Sequence, residues 1–256
     1  TSIGRSIAGN GKPLYDYFRG YHGDQMAQEL NMVSKHSAEK KAAQYCDCFT
    51  TVSDITALEC EQLLDRKVDI VTPNGFEPDF VPKGAAFTKQ RNQARLALKT
   101  VASTILNKTI SKTDLFVCTE GRLAWKSKGI DAYLDSLHAL DKQMEEKQCA
   151  KHITAFVMIP YLDKNSYSLR HIDVVFIPYY LCGNDPLFKL TYYELLIGMD
   201  LTVYPSYYEP WGYTPLESIA FHVPTITTNL SGFGQWANSK GVNKIECGVS
   251  VIHRTD

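Results

Sequence analysis

The sequence predicts an α/β fold with parallel sheets, and three observations carry that prediction. Apolar positions at helical spacing alternate with short β-branched runs, the rhythm of βα units. Two runs, residues 153–159 and 174–177, are continuously apolar, as strands covered on both faces must be. Hydrophobic residues fill 44% of the 256 positions, so a substantial core can be buried and disorder is not expected.

In chain order, a helical stretch over residues 24–45 precedes a strand at 48–52. Ser53 then caps a helix through residue 64, and residues 68–71 return as a strand. Thr72-Pro73-Asn74-Gly75-Phe76-Glu77-Pro78 is dense in turn formers and reads as an interdomain linker. Beyond it come a helix at 87–106, a strand at 115–119, a loop at 120–129 and an amphipathic helix to residue 147. Only residues 160–173 separate the two apolar strands. A parallel crossover normally holds a dozen or more residues including a helix, and no helical pattern is present. The expectation is that residues are absent from the chain at this point. The rhythm resumes with a helix at 190–198, a strand at 201–204, a helix at 215–221 and strands at 225–228 and 249–253.

Bulk properties exclude several partners. The 27 basic and 28 acidic side chains nearly cancel, so charge recruits neither nucleic acid nor an anionic membrane. Seven cysteines, odd in number and without paired spacing, fit a reducing, cytoplasmic setting better than a disulfide framework. Cys46 and Cys48 have no second pair at zinc-finger spacing, and the seven histidines are scattered, so no metal site is expected. No apolar run reaches the roughly 18 residues of a membrane span. The chain opens on Thr-Ser-Ile-Gly-Arg without Met or leader, which reads as a chain already in progress.

The most informative stretch runs from Val203 to Glu217: Val-Tyr-Pro-Ser-Tyr-Tyr-Glu-Pro-Trp-Gly-Tyr-Thr-Pro-Leu-Glu. A strand ends, an aromatic loop follows, and a helix begins at Thr214 or Pro215. That geometry aims backbone N–H groups and a positive helix end at a phosphate, and Gly212 lets the backbone come close. Glu209 and Glu217 lie eight residues apart. Thr214, Pro215 and Glu217 also fit a capping box, which leaves a purely structural role open for Glu217.

This stretch, with Thr228-Asn229-Leu230-Ser231-Gly232-Phe233-Gly234 downstream, resembles the donor site of the eukaryotic-type glycogen synthases, retaining family-3 glycosyltransferases of the GT-B fold. The resemblance extends through Phe49-Thr50-Thr51-Val52-Ser53, Asp69 to Gly75, and the loop from Gly121-Arg122 to Lys128-Gly129, so it covers most of the chain. It implies two Rossmann-like domains with parallel sheets, the first only partly present: residues 1–76 acceptor-side and linker, residues 77–256 donor-binding. It implies that Glu209 faces the transferred sugar and Glu217 holds the nucleotide ribose, while Arg122 and Lys128 bind the donor diphosphate. Such a cation pair can stabilise leaving-group charge without a metal, so no cofactor is expected. Tyr192 falls where the family stacks an aromatic ring on the base, and Trp211, Gly212, Tyr213 and Thr214 belong to the donor loop. Arg5 matches an arginine that points into the cleft from the first domain. Two departures stand out. Family members usually carry Gly-Arg-Tyr-Glu where this chain has Gly121-Arg122-Leu123-Ala124, and no arginine-rich regulatory helix is visible.

The expected reaction transfers glucose from a nucleotide diphosphate sugar, UDP-glucose favoured, to the 4-hydroxyl of an α-glucan. The partners are then the donor and the glucan, with a homo-oligomer left open. Two rivals stand beside it: a related GT-B transferase moving another sugar such as mannose, and a non-catalytic glucan-binding relative.

Overall fold

The computed structural model describes residues 1–255. The chain begins with helix α1 (Ser2–Gly9), followed by α2 (Gly23–Glu29) and α3 (Val33–Tyr45). The single helix expected over 24–45 is therefore two. Asn31 between them takes a left-handed backbone (φ 55°), which asparagine tolerates and which ends α2. Strands β1 (Thr50–Thr51) and β2 (Ile70–Val71) pair in parallel around α4 (Asp54–Leu64). As expected, Ser53 caps α4, accepting from the Thr56 N–H at 3.3 Å.

After the turn-rich segment come α5 (Ala85–Leu106), β3 (Leu115–Glu120), α6 (Ile130–Glu146) and β4 (Ile153–Met158). Next are β5 (Tyr167–Ser168), β6 (Ile172–Phe176), α7 (Tyr192–Leu196), β7 (Leu201–Val203) and α8 (Tyr213–Ala220). The chain continues through β8 (Thr225–Thr228), α9 (Gly232–Ser239) and β9 (Val249–Ile252). Strands β3 to β9 form one sheet in the order β5-β6-β4-β3-β7-β8-β9, parallel throughout except for β5, which runs antiparallel to β6. Leaving β5 aside, the order is that of a dinucleotide-binding Rossmann sheet. The first parallel strand, β3, sits centrally, and the chain winds outward from it in both directions.

Both faces are covered, which explains the apolar strand composition. On one face Phe116, Cys118, Phe156, Met158 and Val175 pack against Ala94, Leu98, Val101 and Ala102 of α5. On the other, Val117, Ala155, Val157 and Val174 pack against Ile130, Tyr133, Leu137 and Met144 of α6. Asp200, at the start of β7, pins the two central strands together. Its carboxylate receives Arg91 and Arg95, each at 2.7 Å, and the Phe116 N–H of β3 at 2.9 Å. The β4–β6 connection holds no helix; its only regular element is β5.

Candidate active site

In an open parallel sheet, ligands bind beyond the carboxyl ends of the strands where the winding reverses direction. Here that crevice lies between β3 and β7, and the two loops leaving these strands carry most of the residues singled out from the sequence. They are tied together by backbone. The Tyr207 and Tyr208 N–H groups both donate to the Ser127 carbonyl, at 2.9 and 3.2 Å. Gly129, at the start of α6, has φ 65°, and a Cβ there would stand 2.0 Å from the Pro205 carbonyl oxygen. Only glycine permits this approach.

Across the crevice Lys128 and Glu209 form an ion pair, each with about a fifth of its side chain exposed. The Glu209 carbonyl accepts from the Gly232 N–H at 3.0 Å, which sets the loop against the start of α9. Next along the chain, the Pro210 carbonyl accepts the hydroxyls of Ser53 (2.5 Å) and Thr56 (3.2 Å) from α4. The Tyr208 hydroxyl donates to the fully buried Glu59 of α4 at 3.0 Å. The loop bearing Glu209 is thus held from three sides. Arg122 is exposed, follows Gly121, where a Cβ would lie 3.6 Å from the Lys128 side chain, and makes no ion pair among the described residues.

Glu217 proves not to be a cap. Helix α8 begins at Tyr213, with Gly212 (φ 110°) at its N-cap, so Thr214 and Pro215 lie inside the first turn and the expected capping box does not form. A left-handed residue just before the helix lets it start earlier than the Thr-Pro signal implies. Glu217 Oε1 instead accepts from the Tyr193 hydroxyl at 2.7 Å. Burial raises its pKa and the Tyr193 bond partly opposes this. A real capping box stands elsewhere, between Thr191 and Glu194, fixing the start of α7.

That cap presents Tyr192 to a cavity of about 280 Å³, lined also by Glu120, Arg122, Met158, Pro160, Tyr179 and Tyr180. The Tyr192 hydroxyl is anchored at the deep end, 3.3 Å from that of Tyr204, while its ring remains partly exposed. Trp211 lies within the loop, with its ring turned into the protein. Its ring is 4% exposed and lies edge-on to Phe233 and Trp236. Tyr213 is half exposed at the helix start. Arg5 is exposed on α1 and lines a separate cavity of about 440 Å³ with Tyr208 and Pro210, the neighbours of Glu209. It makes no ion pair with Glu209 among the described residues.

Glu120, at the end of β3, was not singled out from the sequence. Burial, then the negative charge of Glu217, push its carboxyl pKa from 4.5 up to about 8; Lys128 and a hydrogen bond from Tyr192 partly offset this. The available signal was a lone charge closing an otherwise uncharged strand. Below the unfolded value near 4.5 both states carry the proton and Glu120 imposes no penalty. Between 4.5 and about 8 the unfolded chain releases a proton that the fold retains, so stability falls as pH rises. Glu120→Gln is expected to be about 2 to 4 kcal/mol more stable than wild type near pH 8 and to show no advantage near pH 4. Urea denaturation at the two pH values checks this; an equal difference at both removes the titration account.

The strand order, with cations and glycines at its reversal point, is a Rossmann-type α/β architecture of the kind that GT-B glycosyltransferases share. The chain belongs to the glycogen synthase family: the family model described as "Glycogen synthase" matches residues 1–172 and 165–256. Among curated relatives, it is 25% identical to glycogen [starch] synthase of Dictyostelium discoideum, over 99% of this chain and 40% of that protein. It is 26% identical to the Caenorhabditis elegans enzyme, with 99% and 52% covered. The human liver enzyme is 23% identical, with 99% and 50% covered. The chain thus spans about half the length of the curated relatives it matches. The Dictyostelium alignment runs over 350 residues against a chain of 256, so that relative carries segments with no counterpart here. The two family matches meet at residues 165–172, inside the short β4–β6 connection. Among solved structures, a UDP-forming trehalose-phosphate synthase from Burkholderia vietnamiensis aligns with TM-score 0.54 and 13% identity, covering 88% of this chain and 54% of that one. Anabaena HepE in complex with UDP-glucose gives 0.51 and 14%, covering 78% and 50%. These likenesses concern the fold.

Proposed function

We propose that the protein transfers glucose, with retention of configuration, from a nucleotide diphosphate glucose to the 4-hydroxyl end of an α-1,4-glucan, with UDP-glucose the favoured donor. The observation that carries this reading is the Lys128–Glu209 pair at the strand reversal, with Arg122 exposed on the same loop as Lys128. The diphosphate lies against Arg122, Lys128 and the open start of α8, where Gly212 supplies no side chain to obstruct it. The nucleotide ribose is held by Glu217, and the base stacks on Tyr192. Glu209 faces the sugar as positive character builds at its anomeric carbon. The bond from that carbon to the diphosphate breaks, the acceptor oxygen bonds on the same face, and the acceptor proton passes to the departing diphosphate. Two fixed cations stabilise the charge released, so no side-chain nucleophile is required. Residues 1–76 supply the acceptor side of the cleft, and Arg5 enters it from there. We place the protein in the cytoplasm, consistent with seven unpaired cysteines. No helix of the described residues is long and apolar enough to cross a membrane.

Turnover of the complete protein with glycogen, comparing UDP-glucose and ADP-glucose, tests the reading. Glucan extension with neither would overturn it. Activity is expected to survive EDTA, because cations of the protein itself meet the diphosphate; a rate lost to chelation and restored by manganese would refute that. Glu217→Gln is expected to weaken donor binding by about 1.5 to 3 kcal/mol, the worth of a charged acceptor to a hydroxyl. Calorimetric titration giving unchanged affinity would remove Glu217 from the ribose.

A further inference from the structure

We infer that Glu120 is a specificity-determining residue of the donor site, whose carboxyl group hydrogen-bonds the edge of the nucleotide base lying on Tyr192. The inference rests on the donor-site reading above and extends it to a residue that reading does not use.

Three observations support it. First, Glu120 lines the same cavity as Tyr192, Tyr179 and Tyr180, so a flat heteroaromatic ring bound there has aromatic walls and a carboxyl group within one enclosure. Arg122 lines that cavity too and shares the β3 loop with Lys128, so a nucleotide bound there with its phosphates toward these cations would have its base at Tyr192. Second, the Tyr192 hydroxyl is held 3.3 Å from that of Tyr204, and its interaction with the Glu120 carboxyl places the two groups together. A ring stacked on Tyr192 therefore lays its far edge at the hydroxyl end, where Glu120 stands. Third, the groups facing Glu120 are Lys128 from the β3 loop, Glu209 from the β7 loop, Glu217 from α8, and Tyr192 and Tyr204 beneath, with Cys118 on its own strand. Two carboxylates and one committed lysine favour the protonated acid at neutral pH. A carboxylic acid offers one O–H donor and one carbonyl acceptor side by side, which matches a base edge presenting an N–H next to a ring acceptor or carbonyl. The ionised form offers acceptors only.

The sequence departure acquires a sense in this light. Position 124, in the loop after Gly121-Arg122, is alanine, and Leu123 beside it is half exposed. The acidic group of this loop stands instead at position 120, inside the cavity.

The test is calorimetric titration of the complete protein with UDP and, separately, with inorganic pyrophosphate, for wild type, Glu120→Gln and Glu120→Ala. Near neutral pH, Glu120→Ala should weaken UDP binding by about tenfold or more while leaving pyrophosphate within about twofold. Glu120→Gln, which keeps a donor and an acceptor, should bind UDP nearly as wild type does. Raising the pH to about 9 should weaken UDP binding to wild type but not to Glu120→Gln. Retained pyrophosphate binding shows that the variants are folded. Equal UDP affinity in wild type and Glu120→Ala overturns the inference while leaving the donor site standing. An equal loss of pyrophosphate also overturns it, by placing the effect on the diphosphate cations. Wild type binding neither ligand overturns the inference and the donor-site reading together.

Discussion

Lys128→Ala is expected to lower turnover by about two to three orders of magnitude, the scale seen when one fixed donor to developing charge is removed. The effect has two sources. The leaving diphosphate loses a cation, and Glu209 loses the partner that holds its carboxylate in the crevice. Because the two side chains act as a unit, the double variant with Glu209→Gln should cost less than the sum of the single losses. Single-turnover rates for the three variants measure the coupling. Additive losses would mean that the two residues serve the reaction independently, and a near-normal rate in Lys128→Ala would remove the lysine from the chemistry.

Gly129→Ala should destabilise the fold by about 3 kcal/mol or more, since a left-handed backbone and a steric clash act together there. The added Cβ would sit 2.0 Å from a backbone oxygen, which cannot move aside as a flexible side chain can. Gly241 is the control, with a similar φ of 67° but open space around it, so Gly241→Ala should cost only about 1 kcal/mol. Denaturant melting of both proteins separates backbone strain from crowding; similar losses would mean that the approach of the two loops is not what selects glycine at 129. If the clash opens the loops, the Ser127 hydrogen bonds from Tyr207 and Tyr208 are lost and activity falls with stability.

The parts of the molecule legible in the sequence were those written locally. Strands β4 and β6 announced themselves as apolar runs because both faces of the sheet are covered there, by α5 and α6. The loop between β7 and α8 was legible because its strand, glycine and helix follow one another without interruption. What escaped was set by distant contacts. Helix α9 carries Gly232 and Gly234, which argue against a helix on propensity. Both are there for close approach: a Cβ on Gly232 would meet the Pro210 carbonyl oxygen at 2.3 Å, and one on Gly234 that of Thr228 at 2.0 Å. The spacing of Thr214, Pro215 and Glu217 fits a capping box, yet the left-handed Gly212 starts the helix two residues earlier and leaves Glu217 to Tyr193. Glu120 escaped a sequence reading because its character depends on burial and on Glu217 and Glu209, which lie on a distant part of the chain, as well as on Lys128. The burial of the Trp211 ring against Phe233 and Ala237 of α9 is likewise a distant contact that its motif does not reveal.

The helix-free β4–β6 connection has a bearing on how the protein behaves when crowded with copies of itself. Strand β6 is wholly buried on both faces, and left bare along its outer side it would offer a row of unpaired amides and carbonyls to any passing chain. Two residues of β5 occupy Val174 and Asp173, the Ser166 hydroxyl takes the Phe176 N–H at 2.9 Å, and the Leu169 N–H donates to the Ile172 carbonyl at 2.7 Å. A hairpin this short is too small to template a further strand of its own. The sheet therefore ends in a blunted margin, and polymerisation through this side is blocked by a handful of residues rather than by a covering helix.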